Sequence, residues 1–105
     1  MTDVNELTIS YMEDGVEIVK EVSKVILSKG AWVTILYSYR EFDKKISDYG
    51  PLKFGIRRYQ KRNGEYKQKS KFNISSVAQA EKIISTLQLW ISEQDSIGEE
   101  DSDES

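Results

Sequence analysis

Eight basic side chains fall between Lys53 and Lys71: Lys53, Arg57, Arg58, Lys61, Arg62, Lys67, Lys69 and Lys71, against a single acid, Glu65. Phe54, Tyr59, Tyr66 and Phe72 are threaded among or beside them. Lysine and arginine gain phosphate affinity by displacing condensed counterions, and unpaired bases stack on aromatic rings. The stretch therefore has the two ingredients of a nucleic-acid surface. The charge is sorted along the chain: residues 1–14 carry four acids and no base, residues 92–105 carry seven acids and no base, and the intervening stretch is strongly basic, although the whole chain is formally −3.

Other chemistry has less to stand on. Cysteine and histidine are both absent, which removes thiolate metal ligands, disulfides and the side chain most used for proton transfer near neutral pH. Glu41, Asp43 and Asp48 sit near one predicted loop, but carboxylates flanking basic strands ordinarily form surface pairs. No glycine-rich phosphate loop and no metal-ligand spacing is present. The expectation is a binding protein, not an enzyme, with no metal or cofactor. No apolar run reaches the roughly eighteen residues of a membrane span, and the acidic N-terminus is unlike a signal peptide. Those features predict a protein without membrane association, cytoplasmic and nucleoid-associated in a bacterium, nuclear in a eukaryote.

The elements that must position the basic residues follow from periodicity. Residues 15–27 are rich in β-branched side chains and predict a first strand, with Ser28-Lys29-Gly30 as a turn. Residues 31–42 predict a second, with one face in the core and an aromatic-rich opposite face. After the loop signal Tyr49-Gly50-Pro51, a third strand is expected over residues 52–60. There Leu52, Phe54 and Ile56 should face the core, with Lys53, Gly55 and Arg57 opposite. A bulge after Ile56 would redirect Arg58 and Tyr59, whose faces the pattern leaves open. Asn63-Gly64 tolerates the positive φ angles of a tight hairpin and leads into a fourth strand, residues 65–74. A strict period of two along it aligns Lys67, Lys69, Lys71 and Asn73 at about 7 Å intervals, similar to successive phosphates. Ser75 or Ser76 can cap a helix carrying Val77, Ala80, Ile83, Ile84, Leu87, Trp90 and Ile91 as an apolar stripe.

The expected fold is therefore α+β: a four-stranded, curved antiparallel sheet followed by one C-terminal amphipathic helix. Residues 15–93 form the domain, flanked by unordered acidic segments at 1–14 and 94–105. The C-terminal acids act either as a solubility aid or as a phosphate mimic that screens the basic face. So small a core favours a homodimer, with Leu87, Trp90 and Ile91 at the helix-mediated contact.

Three stretches carry a resemblance. Phe54-Gly55-Ile56-Arg57-Arg58-Tyr59, Asn63-Gly64-Glu65-Tyr66-Lys67, and Lys69-Ser70-Lys71-Phe72-Asn73-Ile74-Ser75 with the helix ending at Leu89-Trp90 resemble the single-stranded DNA-binding domain of the positive-cofactor-four family of transcriptional coactivators. Whirly proteins and Pur-alpha repeats have related architectures. Val19-Lys20-Glu21-Val22-Ser23-Lys24-Val25 also looks like the first strand of the bacterial members. The likeness spans residues 16 to 91. It departs at Lys71-Phe72-Asn73-Ile74, where the family commonly has Lys-Gly-Ile, and in a longer loop between the second and third strands.

The resemblance implies a homodimer that binds unpaired DNA through its β surface, in transcription, replication or repair. Carried onto this chain, it implies backbone contacts from Lys53, Arg57, Lys67, Lys69 and Lys71, and stacking by Trp32, Tyr37, Tyr39, Tyr59 and Tyr66. Arg58, Lys61 and Arg62 complete the candidate interface on charge alone. Each has a plainer role open to it: Trp32 suits core packing equally well, and the lysines can protect an edge strand from aggregation. A different function is also compatible with the composition, a module that holds an acidic protein partner through the basic, aromatic sheet face.

Overall fold

The computed structural model describes residues 3–97. A 3-10 turn at Val4–Glu6 leads into six strands and a helix: β1 Tyr11–Glu13, β2 Val16–Ser28, β3 Trp32–Asp43, β4 Asp48–Tyr49, β5 Lys53–Arg62, β6 Glu65–Ile74 and α1 Val77–Ile97. The strands form one antiparallel sheet ordered β1-β2-β3-β5-β6, with the short β4 pairing beside the end of β3. The four long strands and the terminal helix match the sequence pattern. β1 and β4 are additions.

Two hairpins are closed by two-residue turns. Asn63 and Gly64 have φ of 55° and 79°, and Asp14 and Gly15 have 52° and 79°. Positive φ at both central positions is the type I′ geometry, whose twist matches that of the flanking strands. The first turn sets Arg62 opposite Glu65 and the second sets Glu13 opposite Val16.

Register decides which side chains share a face. Val33, Ile35, Tyr37 and Tyr39 alternate along β3 and are all buried. Across the ladder they meet Ile26 and Lys24 of β2 and Tyr59, Arg57, Gly55 and Lys53 of β5. This face is covered by the N-terminal segment, from which Val4, Leu7 and Ile9 pack onto the core of Val33, Ile35, Tyr37 and Tyr59. Two side chains on the covered face tie the segment down. Lys24 Nζ donates to the carbonyls of Asn5 and Leu7, and the Glu21 carboxylate accepts from the Thr8 hydroxyl. Ser10 Oγ accepts from the Glu21 amide at 3.0 Å. Residues 3–14 thus form an ordered strap, where the acidic composition predicts an unordered segment. The predicted acidic tail lies, from residue 98 onward, outside the described residues.

The core is consequently on the other side of the sheet from the one predicted. Phe54 and Ile56 point away from the strap and are half-buried, while Gly55 and Arg57 lie beneath it. Tyr37 and Tyr39 of β3 belong to the core face and are not opposite to it, whereas Trp32 is on the opposite, open face. Opposite the strap lies an open face carrying Val25, Leu36, Phe54, Ile56 and Phe72. Val25, Leu36, Leu52 and Phe54 line a shallow apolar groove there. Helix α1 does not cover this face. Its start is fixed by Ser76, whose hydroxyl accepts from the Gln79 amide at 3.1 Å, while Gln79 Oε1 accepts from the Ser75 amide. Beyond the buried Ile74 it contacts β6 alone among the strands to any extent, leaving Ile84, Leu87, Leu89, Trp90 and Ile91 exposed. No helix among the described residues is long and apolar enough to cross a membrane.

Candidate nucleic-acid interface

The β5–β6 hairpin brings all eight basic residues of the 53–71 stretch into one pair of strands. It does not put them in one row. Arg58 pairs with Ser70 and the adjacent Tyr59 pairs with Gln68, so Lys69 is an extra residue in β6. Such a bulge breaks the period of two and moves every later side chain to the opposite face. Lys67 therefore shares the open face with Gln60 and Arg58, whereas Lys71 shares the strap face with Arg57. The predicted alignment of Lys67, Lys69, Lys71 and Asn73 is replaced by a split, with Lys71 and Asn73 together and Lys67 behind them. The bulge lies beside Arg58 and Tyr59, where the β5 pattern left the faces open, but the extra residue is in the partner strand.

The aromatic candidates divide likewise. Tyr37, Tyr39 and Tyr59 are buried beneath the strap, and the Tyr37 and Tyr59 hydroxyls are hydrogen-bonded at 2.9 Å. Burial, reinforced by that bond, pushes the Tyr37 hydroxyl far above the ordinary tyrosine value. Trp32 is 37% exposed on the open face, with the Arg58 guanidinium 4.3 Å from its ring centroid. Tyr66 is half-buried on the strap side, with Lys61 Nζ 5.6 Å from its ring. These two cation–π pairs bring cationic and aromatic groups together at the turn end of the hairpin.

Of the eight cations, Lys53 alone is ion-paired among the described residues; its Nζ lies 2.7 Å from Glu41 Oε1. That hydrogen bond raises Lys53 above the ordinary lysine value. Arg57, Arg58, Lys61, Arg62, Lys67, Lys69 and Lys71 carry no carboxylate partner there. Six of them are exposed, and Arg57 is 7% exposed. The residues that sequence reasoning missed are in the strap. Thr8, Ile9, Ser10 and Tyr11 form one wall of a polar groove whose other walls include Arg57, Gln68, Lys71 and Asn73. The Asp14-Gly15 turn signal was the available clue, since a tight hairpin there requires a strand before it. No protein-family model, curated protein or solved structure matches this chain.

Proposed function

We propose that this protein binds single-stranded nucleic acid, most simply single-stranded DNA, with little sequence preference and without chemistry of its own. The carrying observation is the hairpin, in which seven cations have no carboxylate partner among the described residues, with the Lys61–Tyr66 pair on the strap side of its turn. A surface evolved only for solubility intersperses both signs of charge. Here every acid but Glu65 is elsewhere in the chain, and phosphates can supply the missing counter-charge. The sequence resemblance to positive-cofactor-four domains supports the same reading, with a role in transcription, replication or repair as what it implies.

The two faces divide the work. The open face and α1 present apolar surface on a single thin chain, and a second copy related by a two-fold axis covers both. Leu87, Trp90 and Ile91 of α1 join that contact. The strap face and hairpin edge, with Lys61, Lys71 and Lys69, remain for the nucleic acid. Anisotropy of labelled oligo-dT tests the division. Lys61→Ala with Lys71→Ala should weaken binding at least tenfold, whereas Arg58→Ala with Lys67→Ala should have the smaller effect. A polyglutamate competitor that displaces oligo-dT at equal charge concentration would favour an acidic protein partner.

A further inference from the structure

Arg57 is a charged side chain in an unusual position. It is 93% buried on the strap face, and among the described residues its Nη1 donates only to the neighbouring Ile56 carbonyl, at 3.2 Å. No carboxylate lies within ion-pair distance of it among the described residues. Its direct cross-strand neighbour is Lys71, a second cation, a pairing that destabilises a sheet. Buried charge is ordinarily paired, because desolvation without compensation is expensive.

The surroundings concentrate this charge at one point. Arg57, Lys71, Gln68 and Asn73 line a groove of about 310 Å³ between the strap and β6, with Ser10 and Tyr11 on the strap side. Gly55 makes the convergence possible. A Cβ there would meet Arg57 Nη1 at 2.8 Å, Asn73 Oδ1 at 3.2 Å and the Tyr39 ring at 3.3 Å. Of the acids nearby, Glu41, which lines the same groove, is ion-paired with Lys53, and Glu21, which accepts from the Thr8 hydroxyl, is not among the lining residues. The groove thus has positive charge, hydrogen-bond donors and room for about ten waters.

From this we infer that the groove is a site for a phosphate group, gripped by Arg57 and Lys71 with Gln68 and Asn73 as neutral donors. The inference rests on the nucleic-acid reading only for the source of the phosphate, which is an internal phosphodiester or a terminal phosphate of a strand. It adds a discrete anchor within an otherwise diffuse basic surface, and makes the strap part of the site.

Pyrophosphate is the direct probe, titrated into the full-length protein and followed by amide chemical shifts. Shifts should concentrate at Gly55, Arg57, Lys71 and Asn73. Arg57→Gln and Gly55→Ala should each weaken binding at least tenfold, while Lys67→Ala, on the other face, should leave it unchanged. In phosphate-free buffer Arg57→Gln should raise the thermal midpoint by several degrees, because it removes a buried charge without a partner, and pyrophosphate should stabilise the wild type but not this variant. Should Arg57→Gln fail to fold, Gly55→Ala decides, since it keeps every charge and crowds first the Arg57 Nη1 end, with Asn73 Oδ1 and the Tyr39 ring next. Shifts scattered over surface lysines, or equal weakening by Lys67→Ala, would overturn the site. Oligo-dT with and without a 5′-phosphate separates the sources: a preference for the phosphorylated strand assigns a terminal phosphate, and equal binding that Arg57→Gln weakens assigns an internal one. Oligo-dT that fails to bind while pyrophosphate fills the groove sinks the single-strand reading alone. Oligo-dT binding indifferent to Arg57→Gln and Gly55→Ala sinks the anchor alone.

Discussion

Tyr37 shows how one hydroxyl can belong to the core instead of the binding surface. It is fully buried, hydrogen-bonded to Tyr59, and its ionisation is pushed up chiefly by burial. A group whose ionisation is raised on folding contributes stability below its unfolded value, near 10, and loses it as pH rises beyond that. Wild-type stability should therefore decline above about pH 10. Tyr37→Phe should cost about 1 kcal/mol at neutral pH, by leaving the Tyr59 hydroxyl without its partner, and should flatten the alkaline decline. Urea unfolding at pH 7 and at pH 10.5 checks both. If the variant tracks the wild type at both pH values, this hydrogen bond contributes nothing to stability.

Among the elements, β3, the β5–β6 hairpin and α1 were legible because each has a strong local signal: alternation from Val33 to Tyr39, the Asn63-Gly64 turn, and the stripe following Ser76. The core side was not legible. In β5, Phe54 and Ile56 are more apolar than Gly55 and Arg57, so pattern alone points the wrong way; only the strap, contributed by distant residues, makes Arg57's face the buried one. The bulge at Lys69 was also hidden, because an inserted residue among alternating lysines leaves composition unchanged. For the proposed single-strand binding it has a consequence that salt dependence can read. Lys71→Ala should reduce the slope of log K against log salt by about 0.7, the value for one lost single-strand phosphate contact, and Lys67→Ala should reduce it less. Equal reductions would mean that the strand wraps both faces. Helix α1 yields a separate expectation. Trp90, 60% exposed, lies on a stripe that its own sheet leaves uncovered, so the proposed dimer should be seen in light scattering of the wild type and give way to monomer in Trp90→Glu. An unaltered dimer would place Trp90 outside the contact.

Taken whole, the molecule is thin, 54 × 39 × 17 Å, as expected of one sheet with a partial second layer. The strap supplies that layer on one side. Its half-buried Leu7 packs against the core cluster, so Leu7→Ala should destabilise the fold by about 1 to 2 kcal/mol, measurable as a lower urea midpoint. An unchanged midpoint would show that the strap is dispensable to the core. In the proposed function, the other side serves self-association and the cationic hairpin a polyanion. A single strand exposes both phosphates and base faces, whereas a duplex hides the latter. The central claim is tested most directly by anisotropy with fluorescein-labelled oligo-dT and a duplex of the same length at matched salt. The account predicts markedly tighter binding of the single strand, at least tenfold, with log K falling linearly in log salt; equal affinity for the two, or no binding to either, would contradict it.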